Sequence, residues 1–259
     1  MTTPLKPVAL VTGASSGIGR AAAVRLARDF AGIVLVAQDR AELESAAEEV
    51  WKAGARALVV AEDLSRPEAA EHVVDAALQA FGRLDALLNI AGAVPGLDVF
   101  EMTDAQWDAG LALKFHGARR LTLRAWDALR AARGSVVFIS GTAAQVPRAA
   151  QAAVGSINAA IEALAKAFAE RGVADGVQVN SVSPGAIMTG RRLGMLEKAA
   201  RARGIGLEEM KAAFLAGAGI ARFGEADDVA DLLAYVVSPG ARWMTGSVLR
   251  IDGGEVRSV

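Results

Sequence analysis

Runs of β-branched and apolar residues at 8–11, 33–36, 57–60, 86–90, 135–139, 177–182 and 248–251, mostly separated by helix-length stretches, leave this chain few folds to choose from. The runs are continuously apolar rather than alternating, which is the pattern of strands buried on both faces. Strands of that kind lie parallel and need helical crossovers between them. The stretches between them carry helical spacing, as in Ile18, Ala22 and Leu26, or Val154, Ile157, Ile161, Leu164 and Phe168. The expected class is therefore α/β, a doubly wound parallel seven-stranded sheet with helices on both faces.

An apolar content of 53% is ample for one core, and no internal repeat divides the chain. A single domain over residues 1–259 is expected, with an excursion above the sheet at about 190–222, where charged residues and glycines interrupt a helical pattern. The net charge of −1, with arginine clusters no longer than Arg119–Arg120 and Arg191–Arg192, gives no footing for a nucleic-acid partner. Cysteine is absent, which removes thiolate catalysis and disulfides, and His72 and His116 lie too far apart for a familiar metal pair. No metal site is expected. The first residues lack a charged and then apolar leader, and no apolar run approaches the roughly 20 residues that span a bilayer. A cytoplasmic protein is the expectation.

The first run leads into Thr12-Gly13-Ala14-Ser15-Ser16-Gly17-Ile18-Gly19 and then a helix. Glycines between a strand and a helix let the backbone approach a pyrophosphate, which the free N–H groups of the helix start then bind. Further along stand Asp63-Leu64, Asn89-Ile90-Ala91-Gly92, the run from Asn180 through Pro184, Gly185 and Ile187 to Thr189, Arg222-Phe223-Gly224, and Ile251-Asp252-Gly253-Gly254. In this order the motifs resemble the short-chain dehydrogenase/reductase family over essentially the whole length.

That resemblance implies a Rossmann-type fold, a nicotinamide cofactor, and dimers or tetramers built through the fourth and fifth helices and the C-terminal segment. The cofactor residues it implies are Gly13, Ser15, Ser16, Gly17, Ile18, Gly19, Asp63, Leu64, Asn89, Ala91, Gly92, Pro184, Gly185, Ile187 and Thr189. At the end of the second strand the chain reads Ala37-Gln38-Asp39-Arg40. Ala37 takes the family's acidic position, which leaves Gln38 and Arg40 to favour NADP over NAD, unless Asp39 turns inward.

The family's catalytic set is where the chain departs. Its tyrosine and lysine stand four positions apart on one helix, with a serine after the fifth strand and an asparagine on the fourth helix. Ungapped register from Asn180 and from Ile139 puts the tyrosine position at Val154, the lysine at Asn158 and the serine at Gly141. Trp107-Asp108 and Gly117 put the asparagine at Lys114. The only tyrosine is Tyr235, so no shift of register restores the set. General acid/base catalysis contributes roughly 10² to 10⁴ in rate, or about 3 to 5 kcal/mol.

Lys114, Ser140 and Thr142 are the candidate replacements. An ammonium in a dry pocket binds an anion, gives up a proton or forms a Schiff base; a lysine on a solvated face does none of these. Ser140, Thr142 and Asn158 read equally as satisfied structural hydrogen-bonding groups, His116 as a surface or interface residue, and Val154 as hydrocarbon filling the tyrosine position. The excursion carries Met195, Leu196, Ile205, Leu207, Met210 and Phe214 for an apolar wall, and Arg191 and Arg192 for an acidic group. Two functions remain open: an NAD(P)-dependent oxidoreductase with a rebuilt acid/base set, acting on a small carbonyl or alcohol, or a silent cofactor-binding or partner-stabilising subunit.

Overall fold

A computed structural model describes residues 7–257; the first residues, where no leader is expected, lie outside them. Strands β1 (Val8–Thr12), β2 (Gly32–Ala37), β3 (Arg56–Ala61), β4 (Ala86–Asn89), β5 (Ser135–Ile139), β6 (Gln178–Pro184) and β7 (Val248–Ile251) form one sheet in the order β3-β2-β1-β4-β5-β6-β7. Every pairing is parallel.

Because side chains alternate across a strand, each run feeds two cores. Ala9, Val11, Ile33 and Leu35 enter one, beneath α1 (Gly17–Leu26), α2 (Arg40–Lys52) and α9 (Ala226–Val236). Val8, Leu10, Val34 and Val36 enter the other, beneath α3 (Ala69–Phe81), α5 (Ala118–Ala132) and α6 (Ala152–Asp175). Each fully buried Leu or Ile contributes about 1.5–3 kcal/mol, so both faces hold the sheet closed. By length and composition the helical stretch Ala149–Asp175 is apolar enough to cross a bilayer. Here Ile157, Ile161 and Ala165 are buried, and the helix packs on β5 and β6.

The fourth helix is not uniform. Thr103 and Gln106 close a reciprocal cap at the start of α4 (Asp104–Gly110). The next turn and a half, Leu111–Gly117, is π-helical before α5 resumes the ordinary pitch. Such wide turns recur at functional sites because they displace one side chain from the regular helical face. Lys114 lies in the middle of this one.

The excursion is also more ordered than the broken pattern implies. It forms α7 (Gly190–Arg203) and α8 (Leu207–Ala218), and the interrupting Gly204 and Gly219 are their C-terminal stops. A small core of its own, including Leu196, Met210, Ile220 and Phe223, holds the pair above the sheet.

Candidate active site

The chain leaves β1 toward β2 on one side and returns at β4 on the other, and the crevice opens where these directions diverge. Gly13, Ser15, Ser16, Gly17, Ile18 and Gly19 form one wall, Ala91 and Gly92 the second, and Pro184, Gly185, Ile187 and Thr189 the third. The cleft has a volume of about 420 Å³. Thr12 Oγ1 accepts from the N–H of Ile90 at 2.8 Å and of Ala91 at 2.9 Å, which fastens the β4 turn to β1.

Ser16 precedes α1 in an extended conformation and makes no side-chain cap, so the first-turn N–H groups keep no side-chain acceptor. A Cβ at Gly19 would stand 2.1 Å from the carbonyl oxygen of Gly13. Only glycine lets the turn fold this tightly onto the helix start. The uncapped N–H groups and close-approach glycines fit the pyrophosphate of a dinucleotide.

Five of the expected cofactor residues lie outside this cleft. Asn89 is turned into the core, where Nδ2 donates to Thr122 Oγ1 at 3.1 Å while Oδ1 is buried without a partner. It braces β4 against α5 rather than facing a ligand. Leu64 is 5% exposed and belongs to the core, so its side chain is not a ligand contact. Asp63 accepts from the N–H of Ser65. Burial raises its pKa, but bonds from Ser65 and Gln38 and the charge of Arg66 outweigh that and hold the carboxyl below its ordinary value. Asp39 caps α2 by accepting from Glu42 N at 3.1 Å, which removes it as an inward-turning acid. Arg40 is exposed and 3.9 Å from Glu44.

The positions expected to carry chemistry do meet. Lys114 Nζ donates to Asn158 Oδ1 at 2.5 Å and to the carbonyl oxygen of Ser140 at 3.2 Å. Its stem lies across Gly92, where a Cβ would come within 2.9 Å of Lys114 Cδ. Lys114 therefore faces the cleft and not solvent. Burial, then the nearby charge of Arg191, lower its pKa to about 8, against a smaller opposing pull from Glu162. An ammonium has three N–H donors; two are used, and one remains for a ligand in the cleft.

Gly141 takes φ 154, open to glycine but strained for other residues, and a Cβ there would meet Asn158 Nδ2 at 2.9 Å. Val154 packs with Val94, Met102, Ala153 and Ile157, yet it also lines the cleft and the cavity beside it. Hydrocarbon thus walls this position without filling it.

The Ser140 hydroxyl, expected to orient a substrate, is turned to other partners. It donates to Glu162 Oε1 at 2.7 Å and also bonds the carbonyl oxygen of Val182, so the side chain is occupied and only the backbone oxygen serves Lys114. Gln145 donates to both Glu162 oxygens. The sequence reading missed Glu162, although Val154, Asn158 and Glu162 recur at four-residue spacing along one face of α6. Thr142 lines the second cavity. His116 is half-buried: its Nδ1 is buried without a partner, and burial, then Arg120 and Arg119, lower its pKa.

Arg191 spans the mouth of the cleft, donating to the carbonyl oxygens of Gly92 at 3.2 Å and Val94 at 2.5 Å. Beyond Val154 and Asn158 opens the second cavity, about 550 Å³, walled by Met210 and Phe214 of α8 and by Arg192 of α7, which lines the cleft as well.

The family model described as enoyl-(acyl carrier protein) reductase matches residues 13–255. An uncharacterized oxidoreductase of Methylorubrum extorquens is 33% identical over 95% of this chain and 96% of its own length. A 3-oxoacyl-[acyl-carrier-protein] reductase of Staphylococcus aureus is 27% identical over 95% of this chain and 96% of its own. The crystal structure of L-sorbose reductase from Gluconobacter frateurii complexed with NADPH and L-sorbose superposes with a TM-score of 0.94 at 29% identity, covering 98% of each chain. With its sheet order, its glycine turn and these likenesses, the chain belongs to the short-chain dehydrogenase/reductase family.

Proposed function

We propose that this protein is an NADP-dependent oxidoreductase in which Lys114 is the acid/base group. The observation that carries the reading is the bond from Lys114 Nζ to Asn158 Oδ1. In the family register Lys114 stands on the asparagine position and Asn158 on the lysine position. Ammonium and amide have exchanged helices, and the positive charge stays in the cleft.

When bound, the reduced nicotinamide supplies a hydride to a carbonyl carbon. Lys114 gives a proton from Nζ to the carbonyl oxygen as negative charge develops there, and the neutral amine recovers a proton from solvent. Asn158 and the carbonyl of Ser140 aim the ammonium, and Thr142 offers a hydroxyl from the adjoining cavity. The pKa of about 8 lets one lysine take the proton-transfer role, and its charge stabilises the oxyanion.

NADP is favoured by the end of β2. Ala37 carries no carboxylate to repel a 2′-phosphate, Asp39 is occupied as a helix cap, and Gln38 and Arg40 stand on the open shelf beside them. The NADPH complex of the structurally similar L-sorbose reductase supports the same choice.

Calorimetric titration with NADPH and NADH, followed by turnover over a panel of carbonyls, tests the proposal. NADPH should bind more tightly than NADH, and a Lys114→Met variant should still bind it while kcat drops by about 10² to 10⁴. Unchanged turnover in that variant would sink the role of Lys114. Binding without turnover over the whole panel would point to a silent cofactor-binding module instead.

A further inference from the structure

The second cavity is positively charged. Arg148, Arg192 and Arg203 line it, and Glu255 is the acid that faces them. Arg148 and Arg203 are exposed at the rim, whereas Arg192 is drawn inward. Its guanidinium lies over the ring of Phe214, 5.2 Å from the centroid. Among the described residues that side chain has no hydrogen-bond acceptor and no ion-pair partner.

That arrangement has a chemical direction. Stacking uses the face of a guanidinium and leaves its edge, a fork of N–H donors whose geometry matches two oxygens of one anion. A partly buried cation without an acceptor is costly. Burial, only in part offset by Glu255, keeps the guanidinium below its ordinary pKa. Glu255 does not close the gap, because no ion pair joins the two and its Oε2 is itself buried without a partner. Lys114 and Asn158 meet where this cavity joins the cleft.

Resting on the oxidoreductase reading, we infer that Arg192 is a specificity residue that binds an anionic group of the substrate. The substrate class is then a carbonyl compound bearing a carboxylate or phosphate, its anion against Arg192 and its carbonyl toward Lys114.

Matched probes test this on both cofactor-free and NADPH-loaded protein: acetoacetate against its methyl ester for the carboxylate, and dihydroxyacetone phosphate against dihydroxyacetone for the phosphate. Calorimetry is expected to show at least one anion binding about tenfold or more tightly than its neutral partner. Arg192→Met should erase that preference and leave NADPH affinity and neutral-probe affinity unchanged, with Arg192→Gln as a second variant if the first is unfolded by circular dichroism. Equal binding within both pairs overturns the inference, as does a preference that survives in the variants. Loss of NADPH affinity in the variants also overturns it, by assigning the guanidinium to the cofactor. Arg192-dependent anion binding without turnover leaves the subsite standing and counts against the oxidoreductase reading alone.

Discussion

Lys114 owes its properties to burial and to its neighbours Asn158, Arg191 and Glu162. Asn158 supplies an oxygen that favours the charged form, so Asn158→Leu should lower the pKa of Lys114 below about 8. Because reduction needs the ammonium, its rate should fall as pH rises through about 8 in the parent protein and at lower pH in the variant. Alcohol oxidation, which needs the neutral amine, should rise over the same range. A profile identical in both proteins would exclude Asn158 as the partner. Register alone put Lys114, Gly141, Val154 and Asn158 forward, and the structure brings them together. It did not reveal that the first and last touch, because that contact joins residues 44 apart through a π-helical turn that ordinary helical spacing does not describe. The commitment of the Ser140 hydroxyl was likewise hidden, since Glu162 comes from another element.

At the scale of elements, α7 reaches across the cleft through Arg191. Removing its two bonds to the turn after β4 should speed NADPH release, so Arg191→Ala is expected to raise the dissociation rate about three- to tenfold in stopped-flow fluorescence. The same change removes a positive charge that lowers the Lys114 pKa, and the pH profile should move upward. A faster release without that movement would separate the strap from the electrostatics. The helical pair at 190–218 was only half legible: its apolar residues were visible, but Gly204 and Gly219 read as interruptions when they are the ends of two helices. The strands were legible almost to the residue, because runs buried on both faces carry an unambiguous signal.

For the molecule as a whole, the depressed lysine is a cost of the fold. With a folded pKa of about 8 against 10.5 unfolded, the unfolded chain binds more protons between those values, so stability should rise with pH across that window. Below about pH 8 the full penalty remains, on the order of 3 kcal/mol at most. Lys114→Met should therefore stabilise the protein at pH 7 by about 1–3 kcal/mol in urea while lowering turnover, and the gain should vanish above pH 10.5. Exposed Leu123 on α5, Val173 on α6 and Trp243 in the turn before β7 support the proposal that the protein assembles as a homodimer or homotetramer. Light scattering should then show an assembly that Trp243→Ser weakens. The most direct test is an NMR titration of side-chain-labelled lysines in cofactor-free protein, compared with Lys114→Arg. One lysine should titrate near pH 8, and that signal should disappear in the variant. If every lysine titrates above pH 10, the ammonium is not held dry in the cleft, and the central claim is contradicted.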